Sequence, residues 1–101
     1  MSLVRRLATV SDWIGLSSDE SQVLSGAMGL STDSADHMVE NVVGTFGLPM
    51  GIATNFIVNG RDVLVPMVIE EPSVVAGASF AAKLAREGGG FACSSSEPLM
   101  I

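Results

Sequence analysis

The segment at residues 70–73, Glu-Glu-Pro-Ser, carries the side chains best suited to acid–base chemistry. It follows an apolar run that begins at Val63 and predicts a strand. A carboxyl group can donate or accept a proton in catalysis when its pKa suits the reaction. Neighbouring residues of an extended segment point to opposite faces, so Glu70 and Glu71 cannot both face one substrate. At most one of the two does chemistry, and we expect the other to be structural.

Two roles for Glu71 are open from the residues alone. It directly precedes Pro72, and proline is favoured at the first position of a helix because its missing N–H needs no partner there. Glu71 could therefore cap the helix and offset its dipole. A general acid at neutral pH needs a raised pKa, which requires desolvation or a nearby negative charge, whereas a helix terminus acts in the opposite direction. Spacing alone slightly favours the capping role.

A β-hairpin is predicted ahead of this segment. Residues 52–58 and 61–69 have strand patterns, and Asn59 and Gly60 between them are typical of a type I′ turn. That turn fixes the register of the two strands. The predicted cross-strand pairs are Val58 with Arg61, Ile57 with Asp62, Phe56 with Val63, Asn55 with Leu64 and Thr54 with Val65.

Helices are predicted on both sides of the hairpin. Ser17 begins a capping sequence for a helix that ends near Gly29, and Thr32 begins a second helix whose apolar stripe reaches Gly44. After the hairpin, an alanine-rich helix runs to the glycines at 88–90. The predicted fold class is therefore α+β, with N-terminal helices, a β-hairpin and a following helix of small residues.

The other reactive side chains have ordinary structural explanations. His37 has no Cys, His or carboxylate cluster to support it, so we expect a surface histidine and no metal site. Cys93 has no evident activator, which predicts a small buried apolar side chain. The glycines at 88–90 follow a helix, whereas a dinucleotide-binding fingerprint follows a strand. The serines at 94–96 lack a visible base.

Composition limits the partners of this chain. It has 101 residues, a net charge of −6 and no basic cluster, so nucleic-acid binding is disfavoured. No apolar run approaches the ~20 residues of a membrane span, and the single cysteine fits a reducing compartment. We therefore expect a cytoplasmic protein with no membrane contact. The charged fraction of only 16% predicts apolar surface that a partner or further polypeptide covers.

Several segments resemble one family in the order in which they occur. From about Gly15 onwards the sequence is similar to 3-hydroxy-3-methylglutaryl-coenzyme A (HMG-CoA) reductase, and the Glu-Glu-Pro-Ser form resembles its soluble bacterial and archaeal class, class II. The resemblance implies that the hairpin and helices form part of the large, substrate-binding domain of that family. The segments that carry it are residues 40–46, 48–56, 59–66, 70–73, 81–86, 89–91 and 94–96.

The resemblance implies an oxidoreductase of mevalonate and isoprenoid metabolism. Such an enzyme interconverts HMG-CoA with mevalonate and free coenzyme A, using two hydrides from NADH or NADPH and no metal. It implies that Glu71 is the catalytic proton donor or carbonyl polariser, and that Ser73 contacts the hydroxymethylglutaryl group. Val74 and Gly77 are then near enough to line the acyl or pantetheine path.

The resemblance also implies that much of the enzyme lies outside these residues. The catalytic lysine, aspartate and late histidine of the family, and the domain that binds the nicotinamide cofactor, would follow Ile101; neither Lys83 nor His37 matches them. We expect residues 1–14 to be an N-terminal arm and 15–101 the N-terminal portion of the large domain, cut short at its end. The chain alone is predicted to be inactive, and the family implies a homodimer or larger homo-oligomer. A second hypothesis is a non-catalytic dimerisation or association module that keeps only the N-terminal fold of the family.

Overall fold

The computed structural model describes residues 1–97 and divides the chain into two compact units, Met1–Phe46 and Gly47–Ile101. Within the described residues there are four helices and one two-stranded antiparallel sheet. The predicted α+β class is therefore confirmed. None of these helices is long and apolar enough to cross a membrane. The predicted boundary between an arm at 1–14 and a domain from residue 15 stays a prediction.

The first unit contains three short helices, α1 (Leu3–Ile14), α2 (Ser18–Leu24) and α3 (Thr32–Asp36). Helix α1 lies within residues 1–14, which were expected to be an N-terminal arm. Ser2 caps α1, because its hydroxyl accepts a hydrogen bond from Arg5 N at 3.4 Å. Gly15 ends α1 in the left-handed conformation at φ 73°, which a glycine adopts without steric cost.

A reciprocal capping box begins α2, as predicted. Ser17 Oγ accepts from Glu20 N at 3.2 Å, and Ser17 N donates to Glu20 Oε2 at 2.7 Å. The backbone N–H of Ser17 stabilises the carboxylate and lowers the pKa of Glu20. The predicted start of α3 is also confirmed, since Ser31 caps it through a 3.1 Å bond from Ser34 N.

Both of these helices end earlier than predicted. The helix that begins at Ser18 ends at Leu24 rather than near Gly29, and α3 ends at Asp36 rather than at Gly44. Most helical stability in proteins comes from packing of an apolar face. Val39 and Val43 lie on the apolar stripe that predicted a longer helix. Both are exposed in this unit, so packing of their side chains does not stabilise an extension of α3. Asn41 has a positive φ of 58°, which interrupts the segment.

The second unit contains the hairpin of β1 (Met50–Val58) and β2 (Arg61–Val68). Asn59 and Gly60 have φ values of 50° and 76°, as a type I′ turn requires. Three predicted pairs are confirmed, and they are the three nearest the turn: Val58 with Arg61, Ile57 with Asp62 and Phe56 with Val63.

A β-bulge changes the register farther from the turn. Ala53, not Thr54, pairs with Val65, so two residues of β1 oppose one residue of β2. The predicted pairs of Thr54 with Val65 and of Asn55 with Leu64 are therefore wrong. Asn55 adopts φ 69°, a left-handed conformation that asparagine tolerates better than most residues. Because the turn chemistry acts only locally, it could not predict this slip.

Helix α4 (Val74–Glu87) packs on β1 and is followed by a third extended segment. Ala53 on β1 and Ala82 on α4 are both buried, and their small side chains let helix and strand approach closely. Beyond α4, Phe91 N donates to Ile57 O at 2.7 Å, and Asn59 N donates to Phe91 O at 2.8 Å. This parallel bridge lies on the side of β1 away from β2.

The Asn59 side chain joins the same extended segment. Its Oδ1 accepts from Cys93 N at 2.8 Å, and its Nδ2 donates to Cys93 O at 3.0 Å. The rings of Phe56 and Phe91 stack with centroids 5.5 Å apart. The Cys93 side chain is exposed, so the prediction that it is buried was wrong. Only its backbone is engaged by the hairpin.

Large apolar side chains are exposed in both units, as the low charged fraction predicted. Among residues 1–97 the buried hydrophobic side chains are three alanines, Ala35, Ala53 and Ala82. The covering of this surface by a partner or by further polypeptide stays a prediction. Exposed side chains include Trp13, Met38, Val43 and Phe46 in the first unit, and Met50, Val68, Phe80, Leu84 and Phe91 in the second.

Close packing at the end of α4 predicts different effects for two neighbouring glycines. Gly89 and Gly90 both have positive φ values, 102° and 83°. A Cβ at Gly89 would meet nothing within 4 Å, whereas one at Gly90 would lie 2.7 Å from Ile57 Cβ and closer still to the Ile57 carbonyl oxygen. We expect Gly89→Ala to lower the free energy of unfolding by about 1–2 kcal/mol through backbone strain. Gly90→Ala should cost about 2 kcal/mol more through overpacking.

Urea unfolding of this chain, followed by circular dichroism, measures both effects. Gly89→Ala serves as the matched control, because it imposes the same kind of backbone strain in open space. Equal losses in the two variants would contradict the close contact of Gly90 with β1.

Candidate functional site

The candidate site is the turn at residues 70–73, which connects β2 to α4. Two contacts tie the ends of this turn to the beginning of β1. On one side, Ile69 N donates to Pro49 O at 3.1 Å. On the other side, Val75 in the first turn of α4 lies against Gly51, where an added Cβ would be 3.1 Å from Val75 Cγ2. The turn is therefore held between two anchors, one at Pro49 just before β1 and one at Gly51 within it.

Glu71 does not cap α4. The helix begins at Val74, two residues later than predicted, and its N-cap residue is Ser73. Pro72 accordingly precedes the helix and does not occupy its first position. The side chain of Glu71 is exposed, and among the described residues no ion pair or hydrogen bond engages its carboxylate. The capping interpretation of Glu71 was therefore wrong.

Ser73 explains why the helix starts late. Its φ of 72° is left-handed, so the chain cannot continue as an α-helix through this residue. The first intrahelical bond follows at once, from Gly77 N to Ser73 O at 2.8 Å. The Ser73 hydroxyl does not make the side-chain capping bond that serine usually makes at this position. A strained residue whose hydroxyl is not used by the helix is a frequent feature of binding sites.

Val74 and Gly77 lie on the first turn of α4 beside Ser73. Residues three and four positions apart share one face of a helix, so Ser73, Val74 and Gly77 line one side of this turn. Val74 is half-buried and Gly77 is exposed. A Cβ at Gly77 would meet nothing within 4 Å, so packing within the described residues does not require glycine there. Their place on a ligand path stays a prediction.

Sequence reasoning missed the contact between α4 and the bulge of β1. Ser79 lies on α4 and binds the bulge of β1 through two hydrogen bonds, one to the backbone at Thr54 and one to the side chain of Asn55. An asparagine in the middle of an apolar strand was the one available signal, because asparagine is uncommon in strands and tolerates positive φ.

The described residues do not fit a nicotinamide dinucleotide. A dinucleotide site needs a glycine-rich turn that leads from a strand into a helix and leaves room for the pyrophosphate. The glycines at 88–90 instead follow a helix, and Gly90 lies directly against Ile57. The residues described also contain no group of three His, Cys, Asp or Glu side chains that could hold a metal ion. His37 is exposed, with Nδ1 2.8 Å from Asp33 O.

Comparison with known proteins points to one family. The family model described as hydroxymethylglutaryl-coenzyme A reductase matches residues 2–101. The 3-hydroxy-3-methylglutaryl-coenzyme A reductase of Archaeoglobus fulgidus is 54% identical over 101 residues, which are 100% of this chain and 23% of that protein. A probable 3-hydroxy-3-methylglutaryl-coenzyme A reductase of Borreliella burgdorferi is 44% identical over 48 residues, covering 48% of this chain and 11% of that protein.

Solved structures agree with the sequence relatives. A 3-hydroxy-3-methylglutaryl-coenzyme A reductase from Streptococcus pneumoniae superposes with a TM-score of 0.81 at 41% identity, covering 91% of this chain and 22% of that one. A class II enzyme of the same organism, described as bound to NADPH in open conformations, gives a TM-score of 0.80 at 41% identity, covering 91% of this chain and 25% of that one. The chain thus spans about a quarter of the length of the relatives it matches over most of its residues.

The left-handed backbone of Ser73 predicts the order of stability of two variants. Glycine adopts this φ without a Cβ clash, whereas alanine retains the clash and removes the same hydroxyl. We therefore expect Ser73→Gly to be more stable than Ser73→Ala by about 1 kcal/mol. Urea unfolding of the two variants measures this difference. An alanine variant as stable as the glycine variant would contradict the strained conformation.

Proposed function

The chain belongs to the hydroxymethylglutaryl-coenzyme A reductase family, and on that premise we propose that its Glu71 turn is part of the active site of such an enzyme. The reaction would interconvert HMG-CoA with mevalonate and coenzyme A, using two hydrides from NADH or NADPH. The observation that supports this proposal is the state of the Glu71 side chain. It is exposed beside Ser73, and neither a helix cap nor an ion pair among the described residues occupies it.

In this proposal Glu71 handles protons at the reacting carbonyl. Reduction of a thioester or an aldehyde places negative charge on the carbonyl oxygen, and an acid within hydrogen-bond reach can neutralise it. The Ser73 hydroxyl would contact the hydroxymethylglutaryl group. Val74 and Gly77, on the same side of the first helical turn, would line the acyl or pantetheine path.

The proposed acid requires a cover that these residues do not supply. A carboxylic acid donates protons near neutral pH when desolvation raises its pKa, and Glu71 is exposed here. The cover would come from the substrate and from parts of the enzyme beyond those described. The nicotinamide cofactor would also be held by such parts, since the glycines at 88–90 do not fit it.

The partners of the whole enzyme follow from the same proposal. They are HMG-CoA or mevalonate, coenzyme A, and further copies of the polypeptide in a homodimer or larger homo-oligomer. The exposed apolar side chains of both units support an assembly of this kind. The single cysteine supports a cytoplasmic location.

A second candidate function is a non-catalytic association module. The observation that favours it is that the large apolar side chains are mostly exposed, whereas the buried hydrophobic side chains of the described residues are three alanines. A chain with so much exposed apolar surface could serve to associate with other polypeptide. In that case the family fold would be kept and hydride chemistry would not occur.

Replacement of each glutamate in turn separates the catalytic role from a structural one. In a full-length enzyme that carries this sequence, we expect Glu71→Gln to lower kcat by about 10²-fold to 10⁴-fold, because the amide cannot donate a carboxyl proton. Glu70→Gln, the adjacent matched control, should leave kcat within about threefold, since its side chain is not needed for proton transfer in this proposal. Thermal unfolding of both variants checks that they fold. Wild-type turnover in Glu71→Gln would overturn the proposal.

The chain alone is expected to show no turnover. A purified protein of 10.4 kDa, verified by mass spectrometry, should neither oxidise NADH or NADPH with HMG-CoA nor reduce NAD or NADP with mevalonate and coenzyme A. The expectation rests on the poor fit of residues 88–90 to a dinucleotide and on the exposure of Glu71. Nicotinamide absorbance at 340 nm is the measurement, with a full-length family enzyme as the positive control. Measurable turnover by the chain alone would contradict it.

A further inference from the structure

We infer that Ser79 is a positioning residue, which sets the place of Glu71 by fixing α4 on the β-bulge of β1. The inference rests on the proposed function of Glu71 and extends it to a residue outside the turn. Ser79 is half-buried and lies six residues after Ser73, roughly 9 Å along the helix axis, so it does not belong to the turn itself.

Three hydrogen bonds meet at Ser79. Its hydroxyl accepts from Thr54 N at 3.0 Å and donates to Val75 O at 2.9 Å, one helical turn earlier. Its carbonyl oxygen accepts from Asn55 Nδ2 at 3.0 Å. The hydroxyl therefore uses both its donor and its acceptor capacity, and each bond has ordinary length.

The bulge explains why these groups are available to the helix. In a regular antiparallel pair the backbone N–H groups of β1 would bond to β2 or point to the far edge. At the bulge, Thr54 and Asn55 oppose a single residue, and the left-handed Asn55 re-aims the chain. The Thr54 N–H and the Asn55 amide then bind α4. A distortion of the strand thus serves as the attachment point of the helix.

Two contacts on the same face of α4 connect the Ser79 hydrogen bonds to the turn at residues 70–73. Val75, the residue that receives the Ser79 hydroxyl bond, is also the residue that lies against Gly51. Val75 and Ser79 are one turn apart, so the helix contacts β1 at two heights along its length. An α-helix is stiff over one turn, and a shift at Ser79 would therefore move its first turn, which begins directly after Ser73 and three residues after Glu71.

Kinetics of a full-length enzyme with this sequence test the inference. We expect Ser79→Ala to lower kcat by about 10-fold to 100-fold, because a displacement of about 1 Å can cost that much in rate. The KM for HMG-CoA should change less than kcat, since Ser79 does not contact the substrate in this arrangement. Ser79→Thr keeps a hydroxyl that can bond the carbonyl one turn earlier and should restore most of the rate.

A double-mutant cycle with Glu71→Gln distinguishes a positioning role of Ser79 from a purely structural one, because it measures whether the two losses of kcat are independent. If Ser79 acts through Glu71, Ser79→Ala should add little to the loss in the Glu71→Gln background. Losses that multiply in the double variant would overturn the inference, as would unchanged kcat in Ser79→Ala. If Glu71→Gln itself had full activity, the proposed function would fail first, so the two failures are distinguishable.

A second variant covers the case in which Ser79→Ala does not fold. Asn55→Gly preserves the positive φ of the bulge and removes the side chain whose Nδ2 bonds to Ser79 O. We expect a smaller loss of kcat in the same direction, and again little further loss in the Glu71→Gln background. Unchanged kcat in a folded Asn55→Gly variant would count against the positioning role.

Discussion

The packing of α4 on β1 is the contact that gives the second unit its arrangement. It depends on small side chains, since Ala53 and Ala82 are buried between helix and strand and Gly51 leaves room for Val75. Larger residues at these positions would push the helix away from the strand. The hydrogen bonds at Ser79 fix the position along the strand, which apolar packing alone does not specify. Close approach and fixed register together define where the preceding turn lies.

Little of the second unit is buried despite this contact. Val75 and Ser79 of α4 contact β1 and Ala82 is buried, while Phe80 and Leu84 remain exposed on the helix. Most of the apolar surface whose burial could stabilise the unit therefore stays exposed to solvent within the described residues. The same property is consistent with membership in a family of longer proteins, since the Archaeoglobus fulgidus relative and the Streptococcus pneumoniae structure are each about four times as long as this chain.

Local sequence signals predicted the parts of the fold that local chemistry determines. The Asn59 and Gly60 turn, the Ser17 cap of α2 and the end of α4 at the glycines were all predicted, because each depends on a few adjacent residues. The bulge at Asn55 is instead bonded to Ser79 of α4, which is 24 residues later in the chain. Periodicity alone could not predict it.

The candidate site shows the same division. The type and the approximate place of the site residues followed from sequence and resemblance, whereas the conformation of Ser73 did not. Proline at the first helical position is a statistical preference, and here the left-handed serine overrides it. The lengths of the helices in the first unit were overestimated for a related reason. An apolar stripe stabilises a helix only when other apolar side chains pack against it.

The Asn59 side chain limits how freely the hairpin turn can be exchanged. Asparagine and aspartate are usually interchangeable ahead of glycine in a type I′ turn. Here the Asn59 side chain also accepts a hydrogen bond from Cys93 N and donates one to Cys93 O. It thus pairs with the backbone of Cys93 as the backbone of a neighbouring strand would. An aspartate could accept the first bond but would place its second oxygen against a carbonyl. A residue that seems to serve only the turn thus couples the hairpin to the segment that follows α4.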